Sequence, residues 1–174
     1  MLNVEKYSAT DVLRDGCRVE IRTLRPDDRA EMLAAVGRAS AQSLYRRFFG
    51  LKRSFTEEEA AFFVNVDFVN HVALVALIDE GGRSVIAGGG RYIIVQPGEA
   101  EVAFVVVDTY QGQGIGTLLT QHLVALAREA GLKELAADVL PENAAMRRVL
   151  GKFGFKSGRS GDPQVIHMIL PLME

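Results

Sequence analysis

A single cysteine, Cys17, occurs in 174 residues, which rules out an internal disulfide and a multi-cysteine zinc site and suits a reducing compartment. Neither charge is in excess: 20 Lys and Arg against 22 Asp and Glu leave a net charge of −2. That balance lacks the basic field that draws nucleic acid or an anionic membrane surface. No run reaches the roughly 18 apolar residues a membrane-spanning helix needs. The opening MLNVEKYSATDVLRDG carries charge every few positions and no apolar core, so it does not read as a secretory signal. A cytoplasmic protein is expected. Several catalytic and cofactor motifs are missing too. GxGxxG fails because Thr117 stands where the last glycine is needed, and no glycine precedes a Lys-Ser or Lys-Thr pair. Gly158-Arg159-Ser160 is followed by Gly161 and Asp162, which is no nucleophile elbow. His71, His122 and His167 are far apart, so no metal site is expected.

What is present is enough apolar side chain, 48% of residues, for one buried core of the usual domain size of about 150 residues. A single domain over 1–174 is expected, with 1–15 as an N-terminal extension. Cys17 to Leu24 alternates apolar and charged residues and predicts a half-buried strand. Pro26, Asp27 and Asp28 open a helix with Met32, Leu33 and Val36 on its apolar stripe. Ser40 and Ser43 introduce SLYRRFFG as a short helix, and Ser54 or Thr56 opens a third through Phe62 and Phe63. Strands are predicted over His71–Ile78, Ser84–Val95 and Glu99–Val107. The turns Glu80-Gly81-Gly82 and Gln96-Pro97-Gly98 make them antiparallel neighbours. Gly114 to Ala130 carries Ile115, Leu119, Leu123 and Leu126 on one helical face and stops at Gly131. A strand over Leu135–Leu140, a helix from Asn143 with Met146, Leu150 and Phe153, and strands near Phe155 and over Val165–Leu170 complete the chain. The fold class is α/β of the α+β kind, a mixed and mostly antiparallel sheet with helices packed on it.

The segment from Glu99 to Gly116 runs a buried strand through a glycine-rich turn into the strongest helix. Gln111, Gly112, Gln113, Gly114, Ile115, Gly116 and Thr117 there offer backbone N–H groups and a helix dipole of roughly half a positive charge to an anion. A tight strand-to-helix turn uses glycine for steric reasons as well. Gln111-x-x-Gly114-x-Gly116, between EVAFVVVD and an amphipathic helix, resembles the acetyl-CoA pyrophosphate loop of the GNAT superfamily of N-acetyltransferases. NAAMRRVLGKFGF matches that family's closing helix, and LRDGCRVEIRTLRPDDRAEM, SLYRRFFG and HVALVAL extend the likeness to bacterial Pat-type protein lysine acetyltransferases over roughly residues 10 to 170.

The resemblance implies a GNAT fold, acetyl-CoA as cosubstrate, no metal, and transfer of acetyl to a protein lysine, with acyl-CoA synthetases among the expected acceptors. It places a general base at Glu101. A lysine amine with a pKa near ~10.4 is neutral in only about one molecule in 2,500 at pH 7, so a base is needed. A carboxylate among Val102, Ala103 and Phe104 is expected to be partly desolvated. Glu99, two residues earlier on the same strand face, is the competing carboxylate. Val105, Val106 and Val107 are expected to contribute backbone groups to the pantetheine arm, with the N–H groups of Val105 and Val107 polarising the thioester. Asn143 fits both a helix N-cap and a cofactor-facing residue. The family's tyrosine acid falls at Leu150, which donates no proton; Tyr110 and Tyr92 are the alternative donors, each equally suited to packing. His122 reads as an edge-of-core residue, Cys17 lies far from the loop, and Arg46 and Arg47 read as a basic face toward an acidic acceptor or toward solvent. Two other functions stay open: acetylation of a small amine or a peptide N-terminus, and a non-catalytic acyl-CoA-sensing module. Pat-type enzymes often carry a further regulatory domain, and 174 residues are expected to hold the catalytic domain alone.

Overall fold

Glycine at three successive positions, Gly88, Gly89 and Gly90, sits in the middle of the longest strand, and the packing around it organises the molecule. A computed structural model describes residues 4–38, 56–158 and 164–173. Its strands are β1 Ser8–Val12, β2 Arg18–Thr23, β3 His71–Glu80, β4 Arg83–Gln96, β5 Glu99–Val106, β6 Glu134–Val139, β7 Lys156–Gly158 and β8 Ile166–Pro171. They form one sheet in the order β1-β2-β3-β4-β5-β6-β8-β7. Neighbours are antiparallel except β5 and β6. The helices are α1 Arg29–Arg38, α2 Glu57–Val64, α3 Ile115–Glu129 and α4 Ala144–Lys152. The predicted SLYRRFFG helix, with Ser40, Ser43, Arg46 and Arg47, lies outside the described residues, as does Ser54.

β3 is buried on both faces, as its unbroken apolar run predicts. Val72, Leu74 and Ala76 join a core with Val102, Phe104 and Leu135, closed by Leu119, Leu123 and Leu126 of α3 and Leu150 of α4. Ala73, Val75 and Leu77 point the other way, onto Met32 and Ala35 of α1 and Val64 of α2. Each of the fully buried leucines of α3 contributes about 1.5–3 kcal/mol. The β4 glycines let these layers close. A Cβ on Gly90 would lie 2.9 Å from the Phe104 ring and 3.0 Å from Leu123 Cδ1. One on Gly88 would lie 2.8 Å from the Val105 carbonyl oxygen and 3.4 Å from Ile115 Cγ2, where α3 begins.

One strand was not predicted. Ser8–Val12, inside the expected extension, pairs with β2 from Ser8 opposite Arg22 to Val12 opposite Arg18. It is an edge strand whose residues are all exposed or half-buried, so no apolar alternation marks it. The predicted helix at Pro26 begins as a 3-10 turn over Pro26–Asp28 before α1 proper.

Candidate active site

The parallel ladder between β5 and β6 has three rungs: Glu99 with Glu134, Ala100 with Leu135, and Glu101 with Ala136. Beyond Glu101 the two strands part. β6 continues along β8 to Val139, whereas β5 has no paired strand on that side up to Val106 among the described residues. The sheet therefore splits, and the split opens onto the turn that leads into α3.

The backbone of that turn has the features that suit an anion. Gly114 has φ +97° and is the N-cap of α3, with no side chain capping that end. The first N–H groups of a helix have no intrahelical acceptor, and the dipole adds positive potential there. Gln111 ties the turn to the open strand edge by donating from Nε2 to the Val106 carbonyl at 3.1 Å and to Asp108 Oδ1 at 3.2 Å. A cavity of about 370 Å³ lies against it, lined by Gln111, Gly112, Gly114, Ile115, Gly116 and Thr117, by Phe104 and Val106 of β5, and by Asn143 and α4. Gln113 is half-buried in the same turn and does not line the cavity. Asn143 is the N-cap of α4, with Oδ1 accepting the Met146 N–H at 3.2 Å, and it also lines the cavity.

The strand residues differ from expectation by one position. Val107 N–H donates to the Ala87 carbonyl at 2.8 Å. Successive residues of a strand turn their N–H groups to alternate sides, so Val105, opposite Gly89, also faces β4. The N–H groups of Phe104 and Val106 face the split instead. The Val105 side chain lies on the α1 and α2 side of the sheet.

Glu101 is 6% exposed and occupies the last rung before the split. Its strand face is the one covered by α1 and α2, in a cross-strand row with Ile93 and His71. Glu99 is drawn into other contacts. It accepts from Gln96 Nε2, and the Glu134 carboxyl is held above its ordinary range by burial, by the Glu99 charge and by a hydrogen bond to Glu99.

Of the alternative acids and nucleophiles, Tyr110 alone lines the cavity among the described residues. Leu150 is fully buried in the core. Tyr92 is 2% exposed, and burial pushes its hydroxyl up to about 12. Tyr110 lines the cavity, and its hydroxyl donates to Glu80. The Cys17 thiol is exposed and raised by the hydrogen bond and charge of Asp15. His122 is 8% exposed, with Nε2 2.9 Å from Asp11 Oδ2 and Nδ1 bonded to the Tyr7 hydroxyl. Among the described residues no group of three or more His, Cys, Asp or Glu is placed to hold a metal.

Three charged cavity residues were not foreseen: Arg14, Arg148 and Lys152. The last two stand four apart on α4, a helical spacing visible in the sequence. Arg14 carries no local signal, because only the pairing of β1 with β2 brings it to the cavity.

Comparison with known proteins gives a consistent result. Residues 18–156 match the family described as the acetyltransferase (GNAT) domain. The chain is 32% identical over 169 residues to acetyltransferase PA5475 of Pseudomonas aeruginosa, covering 95% of this chain and 91% of that one. It is 32% identical over 146 residues to acetyltransferase Pat of Mycolicibacterium smegmatis, covering 82% of this chain and 42% of that protein. The GNAT domain of S. lividans PAT superposes with a TM-score of 0.83 at 33% identity, covering 94% of this chain and 96% of that one.

Proposed function

Because the chain belongs to the GNAT acetyltransferase family and is an N-acetyltransferase, we propose that it transfers acetyl from acetyl-CoA to a protein lysine, with Glu101 as general base. One observation carries this reading. The cavity lining climbs β5 from Val106 to Phe104, and the split closes at Glu101, three residues further and about 10 Å away at ~3.3 Å per residue. An extended thioester arm that starts at the glycine turn and follows the open edge of β5 ends beside that carboxylate.

The residues then divide the work. The turn from Gln111 to Thr117 binds the diphosphate through N–H groups and the helix dipole. Phe104 and Val106 supply the N–H groups that face the split, suited to the thioester carbonyl oxygen as negative charge develops on it. Glu101 takes the proton from the lysine ammonium, and the neutral amine attacks the carbonyl carbon. The departing thiolate, with a pKa near ~8.5, is a fair leaving group; it receives through water the second proton the nitrogen loses as the amide forms, and Glu101 releases the first to solvent. Leu150 therefore leaves no required step unserved. The Pat relatives support a protein acceptor, and acyl-CoA synthetases are the first candidates. The cytoplasm is the proposed location, and among the described residues no helix is long and apolar enough to cross a membrane.

The test follows acetyl-CoA consumption with two acceptor pools, deacetylated cell protein and a mixture of small amines and N-terminal peptides, using Glu101→Gln as control. Glu101-dependent labelling of protein lysines supports the reading. Turnover confined to the second pool overturns the acceptor, and binding without turnover in either pool makes the chain an acyl-CoA-sensing module.

A further inference from the structure

We propose that the N-terminal hairpin completes the cofactor cavity, with Arg14, Arg148 and Lys152 receiving the 3′-phosphate of coenzyme A, so that the enzyme selects CoA thioesters over their 3′-dephospho forms. The inference rests on the acetyl-CoA reading above and adds the part of the ligand that the glycine turn does not serve.

Charge is the first argument. The chain carries a net charge of −2, yet the cavity against the glycine turn is lined by three cations and, among the described residues, by no carboxylate. None of the three forms an ion pair among the described residues. The turn and the α3 dipole already serve the diphosphate. Three further cations on the same cavity match a further anion, and a phosphate monoester dianion is the group that coenzyme A provides. Arg and Lys both bind such oxygens through charge-assisted hydrogen bonds.

The second argument is that Arg14 is held in place. It sits in the turn between β1 and β2, closed by Leu13 N–H donating to the Cys17 carbonyl at 2.8 Å and Gly16 N–H to the Leu13 carbonyl at 2.9 Å. Leu13, next to it, is buried in the main core. Upstream, Tyr7 and Asp11 both bond to the ring of His122, which lies on α3, the same helix whose N-terminus forms the anion turn. The hairpin and the turn are thus fastened to one rigid element. The family match begins at residue 18, whereas the alignment with acetyltransferase PA5475 covers 95% of the chain, so the arm lies outside the first and largely within the second.

Calorimetry with CoA and 3′-dephospho-CoA on the full chain tests the proposal. Wild type is expected to bind CoA at least about tenfold tighter than the dephospho form, the range of one or two charge-assisted bonds. Arg14→Ala and Lys152→Ala should each shrink that ratio by weakening CoA alone, and Arg14→Lys should restore part of it. Thermal midpoints without ligand should match wild type, which separates the effect from unfolding. Equal affinity of wild type for the two ligands overturns the proposal and leaves acetyl-CoA binding intact. Equal weakening of both ligands by Arg14→Ala also overturns it, because Arg14 would then serve the diphosphate or the fold. Failure of wild type to bind either ligand overturns the acetyl-CoA reading itself.

Discussion

Arg91 donates from its guanidinium to His71 Nε2 at 2.8 Å, a buried contact on the face of the sheet that carries Glu101. Nε2 accepts only in the neutral ring, and burial first, then the Arg91 cation, pushes His71 down to about 3 against the opposing pull of Asp67. Burial also lowers Arg91 to about 9.

A pH dependence follows. Unfolded His71 takes a proton near ~6.5, whereas folded His71 resists protonation down to about 3. The unfolded state binds more protons between those values. The stabilisation is therefore complete above about pH 6.5 and is lost as the pH falls toward 3, at up to about 1.4 kcal/mol per pH unit. Urea midpoints at pH 7 and pH 5 for wild type and His71→Asn should show a smaller acid loss in the variant. Parallel curves would dismiss this origin.

Glu101→Gln keeps the shape of the side chain and removes the proton acceptor. Turnover is expected to fall about 10²- to 10⁴-fold, with acetyl-CoA affinity within about twofold of wild type, since Glu101 does not line the cavity. Steady-state rates and calorimetry on the same preparation check both halves. Retained turnover would remove the base assignment.

At Gly114, strain and charge are separable. An added Cβ meets nothing within 4 Å, but φ is +97°, so Gly114→Ala pays backbone strain of about 1–2 kcal/mol without a clash. Gly114→Asp adds a negative charge at the proposed diphosphate turn and is expected to abolish acetyl-CoA binding, well beyond the alanine variant. Equal binding by the two variants would dismiss the turn as the diphosphate site.

Two other glycines should move stability in opposite directions. Gly88→Ala places a methyl group 2.8 Å from a backbone oxygen, so strands must shift at a cost of about 1–3 kcal/mol. Gly151 lies within α4 with nothing near its would-be Cβ, and Gly151→Ala should gain about 0.5–1 kcal/mol. Urea denaturation of both variants measures the contrast.

Local chemistry by itself determined much of this protein. The periodicity of Ile115, Leu119, Leu123 and Leu126, the paired glycines at 81 and 82, and the asparagine before α4 act over a few residues. Their helices, turn and cap formed where the sequence places them. The glycine turn before Ile115 was legible for the same reason: a turn's N–H directions depend on its own backbone. What only the tertiary structure decided depends on register between distant strands. The three-rung ladder sets Glu101 at the split and draws Glu99 to Glu134. The pairing of β4 with β5 turns the N–H groups of Phe104 and Val106, rather than those of Val105 and Val107, toward the cleft. The polar strand Ser8–Val12 has no apolar alternation to announce it, so it is stable only as an edge on β2, and that pairing delivers Arg14 to the cavity. Backbone hydrogen bonds within a few residues are written into the sequence one segment at a time, whereas side chains that converge from separate strands are placed by the whole sheet at once.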